Sequence, residues 1–120
     1  MAITSEYSDF VTELFAGFGP VRLRGMFGGT GIFHDDVMIG LIADGTIFLR
    51  TDAALAADMA AEGSTPFVYS STSKTVEMPY WRLPERLIDE PDDLAAWARR
   101  AYQAAAQARK PKKKRSKKAV

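Results

Sequence analysis

Four glycines fall within seven residues, Gly25, Gly28, Gly29 and Gly31. Such a run is the raw material of a phosphate cradle built from exposed backbone N–H groups. A dinucleotide site, however, needs G-x-G-x-x-G between a strand and a helix, so that the helix N-terminus faces the pyrophosphate. The spacing here differs, and the residues that follow, Ile32-Phe33, have strand character. No Gly-Lys-Ser/Thr occurs anywhere, which excludes a P-loop. The run is therefore expected to be a bulge or tight strand connection where only glycine fits, with Met26 and Phe27 packed in the core. His34-Asp35-Asp36 supplies the residue types of a general base oriented by a carboxylate. Consecutive residues in a turn do not converge on one point, and no G-x-S-x-G motif is present, so solvated turn residues are expected there. Asp92-Asp93 is explained by the dipole of the helix it begins. With one histidine, no cysteine and no recognised catalytic motif, neither a catalytic residue set nor a cofactor or metal site is expected, and the chain is expected not to be an enzyme.

Two groups of residues are suited to binding instead. Arg22 and Arg24 alternate on one predicted strand face, and Arg50 joins them from another strand. With Trp81 they form a candidate cationic-aromatic surface for a nucleic acid or an acidic peptide; the competing reading is a solvated sheet face with weak local ion pairs. The second group is the run Arg109, Lys110, Lys112, Lys113, Lys114, Arg115, Lys117 and Lys118. Eight cations on a flexible chain contact phosphates and release counterions, a sequence-independent attraction that falls steeply with salt. Nothing in that run can read base edges, because recognition needs a rigid element in a groove. A solubilising tail is the alternative.

That run also resolves the charge. The 120-residue chain carries 16 Lys and Arg against 15 Asp and Glu, a formal net charge of +1. Residues 1–108 hold eight basic and fifteen acidic groups, a net charge of −7, and the last twelve residues hold +8. An acidic globule (1–108) followed by a disordered basic tail (109–120) is expected. Absence of cysteine suits a reducing compartment and rules out disulfides and thiolate metal sites. No apolar run approaches the roughly 18–20 residues that span a bilayer, and the N-terminus has no basic region leading into an apolar core. A cytoplasmic protein without a membrane partner is expected.

The elements that must position these groups follow from periodicity. Tyr7, Phe10, Val11, Leu14, Phe15 and Phe18 form one stripe of an amphipathic helix, ended by Gly17, Gly19 and Pro20. Val21–Arg24 alternates as a strand, and Val37–Ala43 and Thr46–Arg50 flank Asp44-Gly45, the pair that suits a type I′ hairpin turn. Asp52 is placed to cap a short helix carrying Leu55, Ala56 and Met59, closed by Gly63. Thr65–Ser70 and Lys74–Leu83 make a second hairpin around Ser71-Thr72-Ser73. Val76, Met78 and Tyr80 share one face of its second strand, and Glu77 and Trp81 the other. Pro79 in that strand, lacking an N–H, predicts an edge or a bulge. A helical turn at Pro84–Ile88 precedes a last helix beginning near Asp89–Pro91, with Leu94, Trp97, Ala98, Ala101, Tyr102 and Ala105 as its buried stripe. The expected fold is two-layer α+β, a mostly antiparallel sheet with helices on one face, in the order α-β-β-β-β-α-β-β-α.

The sequence also resembles the TfoX N-terminal domain family, named for a bacterial regulator of natural competence. The resemblance is carried by Met26-Phe27-Gly28-Gly29 with Gly31 behind it, Ala43-Asp44-Gly45, Leu49-Arg50-Thr51-Asp52 and Pro66-Phe67-x-Tyr69. It continues through Met78-Pro79-Tyr80-Trp81 with Pro84 and Leu94-x-x-Trp97-Ala98-Arg99, covering about residues 7–106. It implies an α+β fold and a role near gene regulation or competence, with no established catalytic residue set. The regulator that names the family has a second, helical domain where this chain has the lysine-rich run. Two expectations follow: a small regulatory or accessory protein whose globule binds an unidentified protein partner while the tail touches nucleic acid non-specifically, or an interaction module, including a homodimer, with an incidental tail.

Overall fold

The computed structural model describes residues 4–26, 29–70 and 73–109. Within them the chain runs α1 (Ser5–Leu14), β1 (Arg22–Met26), β2 (Gly29–His34), β3 (Val37–Ala43), β4 (Thr46–Arg50), α2 (Ala53–Ala61), β5 (Pro66–Ser70), β6 (Thr75–Arg82), a 3-10 turn (Glu85–Ile88) and α3 (Pro91–Arg109). The fold is α+β, in the order that the patterning predicts.

Local chemistry sets these boundaries. The Thr4 hydroxyl accepts from the Tyr7 N–H at 3.1 Å, and Asp52 Oδ1 accepts from the Leu55 N–H at 2.9 Å. Each satisfies one of the orphan donors of a first helical turn. α3 opens on Pro91, which has no N–H to leave unpaired, followed by Asp92 and Asp93 at the positive end of the dipole. Asp44 and Gly45 have φ of 50° and 72°, the left-handed pair of a type I′ turn, and Asp35 and Asp36 repeat it at 51° and 65°. Two tight hairpins therefore link β2 to β3 and β3 to β4.

All described strand pairings are antiparallel, and the sheet order is β1-β2-β3-β4-β6-β5. Pro79 thus lies in an interior strand and marks a bulge, the second of the two expected alternatives, and the sheet edges are β1 and β5. A bulge takes up the missing N–H. β5 pairs with Thr75–Glu77 and again at Trp81, and Pro79 falls in the shifted stretch between. Its carbonyl accepts from the Thr51 N–H at 2.9 Å.

The helices cover one face. Val11 and Phe15 from α1 and its C-terminal turn, Leu55 and Met59 from α2, Leu87 from the 3-10 turn and Leu94, Ala98 and Ala101 from α3 share one buried cluster with Ile32, Ile39, Ile42, Ile47 and Leu49. Phe10 departs from the predicted stripe. It is 41% exposed and leans on Tyr7, because Val11 and Phe15 occupy the positions that point at the sheet. The Tyr7 hydroxyl donates to the Gly45 carbonyl at 3.0 Å, pinning α1 to the β3–β4 turn, and its partial burial raises the phenol above its usual pKa.

His34 also departs from expectation. It closes β2, and its ring lies between Phe18 and Tyr102, at 4.7 and 5.3 Å between centroids. Its Nδ1 donates to the Pro20 carbonyl at 2.7 Å, so it is a packing residue and not a solvated turn residue.

Arg86 joins the helix layer at its other end. Its guanidinium donates to Glu62 at 2.9 and 2.7 Å, to Glu90 at 2.8 Å and to Asp93 at 2.9 Å. The hydrogen bond from Arg86 holds the Glu62 carboxyl below its usual pKa, and the same bond raises that of Arg86. Arg100 ties α3 to α2 through Asp58 at 2.8 Å. Among the described residues, no helix is long and apolar enough to cross a membrane.

Candidate functional site

With the helices on one side, no described element covers the other face of the sheet. Residues directly opposite each other in a ladder share a face, so the register assigns it. Leu23 pairs with the buried Ile32 and points at the helices, which turns Arg22 and Arg24 outward. Arg24 is then followed across the strands by Gly31, Leu41, Phe48 and Arg82. A parallel row runs Arg22, Phe33, Met38. Arg50 and Tyr80 face each other on the same side.

A groove of about 740 Å³ lies on this face, with Met38, Leu41, Ala43, Phe67, Met78 and Tyr80 in its walls. It lies between the β2–β3 ribbon and the β5–β6 ribbon, with β4 between them. Tyr69 extends the apolar surface toward the hairpin tip, where it is 57% exposed.

The face that holds the groove carries positive charge, and Arg50 lies against Tyr80 in the groove wall. The strands contain four arginines, Arg22, Arg24, Arg50 and Arg82, and one acid, Glu77. Glu77 pairs with Val68, one residue out of step with the groove-facing Tyr69, so it points away from the groove. The other acids lie in helices, in turns and at helix ends. Among the described residues, no carboxylate is within ion-pair distance of Arg24, Arg50 or Arg82, whereas Arg22 meets Asp36 at 3.2 Å on an exposed corner. The Arg24 guanidinium lies over Phe33 at 5.1 Å and that of Arg50 over Tyr80 at 5.6 Å. Arg50 Nε is buried and has no acceptor among the described residues.

The structure therefore brings Arg22, Arg24 and Arg50 onto one face and sets Trp81 on the other. Trp81 pairs with Leu49 and packs against the core beneath the sheet. Tyr80, one residue earlier, takes the place beside Arg50. Arg82, two residues beyond Tyr80, lies on the same side; alternation groups the two but does not tell which side faces the helices, and spacing alone missed it. Of the glycine-rich motif, Gly29 and Gly31 lie in β2 and Met26 ends β1, whereas Phe27 and Gly28 are outside the described residues. The tail residues Lys110, Lys112, Lys113, Lys114, Arg115, Lys117 and Lys118 are also outside them; Arg109 ends α3.

The described residues assemble no catalytic constellation. His34 Nδ1 is held by a carbonyl, and its Nε2 meets Asp35 at 3.5 Å with no nucleophile motif beside it. Among them, no group of three or more metal-ligating side chains is placed to hold an ion.

Comparison with known proteins identifies the family. The chain is similar to the DNA transformation protein TfoX1 of Aliivibrio fischeri (strain ATCC 700601 / ES114), with 25% identity over 101 residues. That match takes in 84% of this chain and 46% of TfoX1, so the chain spans about half the length of that curated relative. A family model described as the TfoX N-terminal domain matches residues 13–105. The chain belongs to the TfoX N-terminal domain family.

Proposed function

We propose that this protein is a non-enzymatic regulatory or accessory module that docks a protein partner on the open face of its sheet. The observation that carries the reading is an apolar groove that no described element covers, on a sheet face that also carries Arg22, Arg24, Arg50 and Arg82. A sheet face of this kind left bare on a monomer is characteristic of an interaction site. Similarity to a DNA transformation protein supports a role in regulation linked to DNA uptake, in the cytoplasm. Under this reading Arg109 and the lysines from Lys110 to Lys118 add weak, salt-sensitive contact with nucleic acid.

The test is affinity capture from native lysate with the full chain, with a chain ending at Ala108 and with a Leu41→Asp variant, each with and without nuclease. A partner retained by the first two and lost with Leu41→Asp supports docking on the open face. Retention that vanishes with nuclease or with the tail assigns the capture to nucleic-acid bridging. DNA binding by the full chain is expected to weaken sharply between about 50 and 200 mM salt and to be lost in the chain ending at Ala108.

A second reading has its own observation. β5 is an edge strand whose Val68 and Tyr69 are 46% and 57% exposed, and an apolar edge pairs readily with a second copy. Light scattering decides it: a concentration-independent monomer mass counts against a homodimer.

A further inference from the structure

We infer that the groove on the open face is shaped and charged for an acidic amphipathic helix of a partner protein, a statement that rests on the docking role proposed above and names the partner's chemistry.

Size is the first reason. The groove extends from β3 across β4 to β6, and its volume of about 740 Å³ has room for several side chains of the apolar ridge of one helix. The walls are the second. Met38, Leu41 and Met78 are unbranched or flexible apolar side chains that adapt to an inserted ridge, and a helix presents such a ridge at i, i+3, i+4 and i+7. Charge is the third. Arg24, Arg50 and Arg82 share the open face with the groove, Arg50 directly against its wall at Tyr80, and none has a carboxylate partner among the described residues. Acids flanking the apolar stripe of the incoming helix would supply those partners.

The same features discriminate against other occupants. Single-stranded nucleic acid is the other anion that arginines and aromatic rings attract, but it needs open ring faces on which bases stack. Here Arg24 covers Phe33, Phe48 and Phe67 are locked edge to face at 5.1 Å and 65°, and Tyr80 is 7% exposed beneath Arg50, which leaves Tyr69 as the one exposed ring among the described groove residues, too few for a run of stacked bases. The lysine-rich run Lys110–Lys118 carries the same sign as the arginines of this face and is repelled by them. A second copy is disfavoured because two open faces would bring two sets of four arginines together. The helices of a second copy, for their part, already bury their apolar stripes against their own sheet.

The experiment uses the full chain and a fluorescent helical probe peptide of about 18 residues, five turns, with Leu and Phe at i, i+3, i+4 and i+7 and Glu on both flanks. A sibling peptide carries Lys for every Glu, and an oligothymidylate of about 15 nucleotides supplies the polyanion arm. Saturable binding of the Glu peptide is expected. It should weaken about tenfold when Arg24, Arg50 and Arg82 are changed to Ala, and by less than about twofold when Lys112, Lys113 and Lys114 are changed to Gln. Amide shifts on titration should centre on Met38, Leu41 and Tyr80. Equal affinity for the Lys peptide overturns the inference, as does loss of binding only in the tail variant. Oligothymidylate affinity that falls in the triple arginine variant overturns it too. If the Glu peptide fails while Leu41→Asp still abolishes capture from lysate, the groove takes a partner of other chemistry and the docking role stands. If Leu41→Asp leaves capture intact, the docking role itself fails.

Discussion

The Nδ1 atom of His34 lies 2.7 Å from the carbonyl oxygen of Pro20. The bond joins the end of β2 to the segment leaving α1, and the ring fills the space between Phe18 and Tyr102. A carbonyl only accepts, so Nδ1 carries the proton. The residue with the chemistry to suggest an active site instead locks α1 and α3 to the sheet. His34→Ala removes the ring and leaves the Pro20 carbonyl without its donor, an expected loss of about 2–3 kcal/mol in stability. His34→Asn, which keeps a donor near Nδ1, should recover part of it. Urea unfolding of the three proteins checks this, and an Ala variant within about 0.5 kcal/mol of wild type would show the contact to be idle.

Gly40 is a second point of close contact. A Cβ there would lie 2.6 Å from the Phe48 carbonyl oxygen, and backbone cannot step aside as a side chain can. Gly40→Ala is expected to cost about 1–3 kcal/mol by overpacking. Gly25→Ala is the control, since its Cβ would meet nothing closer than 4.0 Å and a change within about 0.5 kcal/mol is expected. Equal thermal midpoints for the two variants would refute the steric account.

The Glu62–Arg86 contact makes a pH prediction. Glu62 has a folded pKa below its ordinary value, so its contribution to stability is present above the unfolded value of about 4.3 and is lost as pH falls through the folded one. Wild type should therefore exceed Glu62→Gln in stability by a constant margin from neutral pH down to about pH 5, and the margin should close as the acid range is entered. Added salt should shrink it, because both groups are solvent-accessible. Chemical denaturation of both proteins across that range measures the margin, and one that widened in acid would contradict the assignment.

Asp52 caps α2 through Leu55. Asp52→Ala should cost about 1 kcal/mol, and Asp52→Ser or Asp52→Asn should restore most of it, since each keeps a side-chain acceptor. Hydrogen exchange at the Leu55 amide gives a local readout; unchanged protection in the Ala variant would mean that the cap bond is not formed in solution.

Local sequence determined most of the elements. Asp44-Gly45 imposed the turn between β3 and β4, and the two strands run over the predicted Val37–Ala43 and Thr46–Arg50. Asp52, Gly63 and Pro91 marked helix ends by backbone chemistry that acts within a few residues. Arg22, Arg24 and Arg50 were visible as candidates because alternation tells which residues of one strand share a side. Alternation does not tell which side faces the helices, nor which strand lies next. The insertion of β6 between β4 and β5 is a long-range pairing, and it put Pro79 inside the sheet, sent Trp81 to the core and brought Tyr80 and Arg82 to the face that holds the groove. The same holds for His34, whose partners Pro20, Phe18 and Tyr102 come from α1's exit and from α3. The sequence by itself determined the elements and their order; packing the helices on one face alone decided that the other would carry the groove and the arginines, because only burial of one side exposes its opposite.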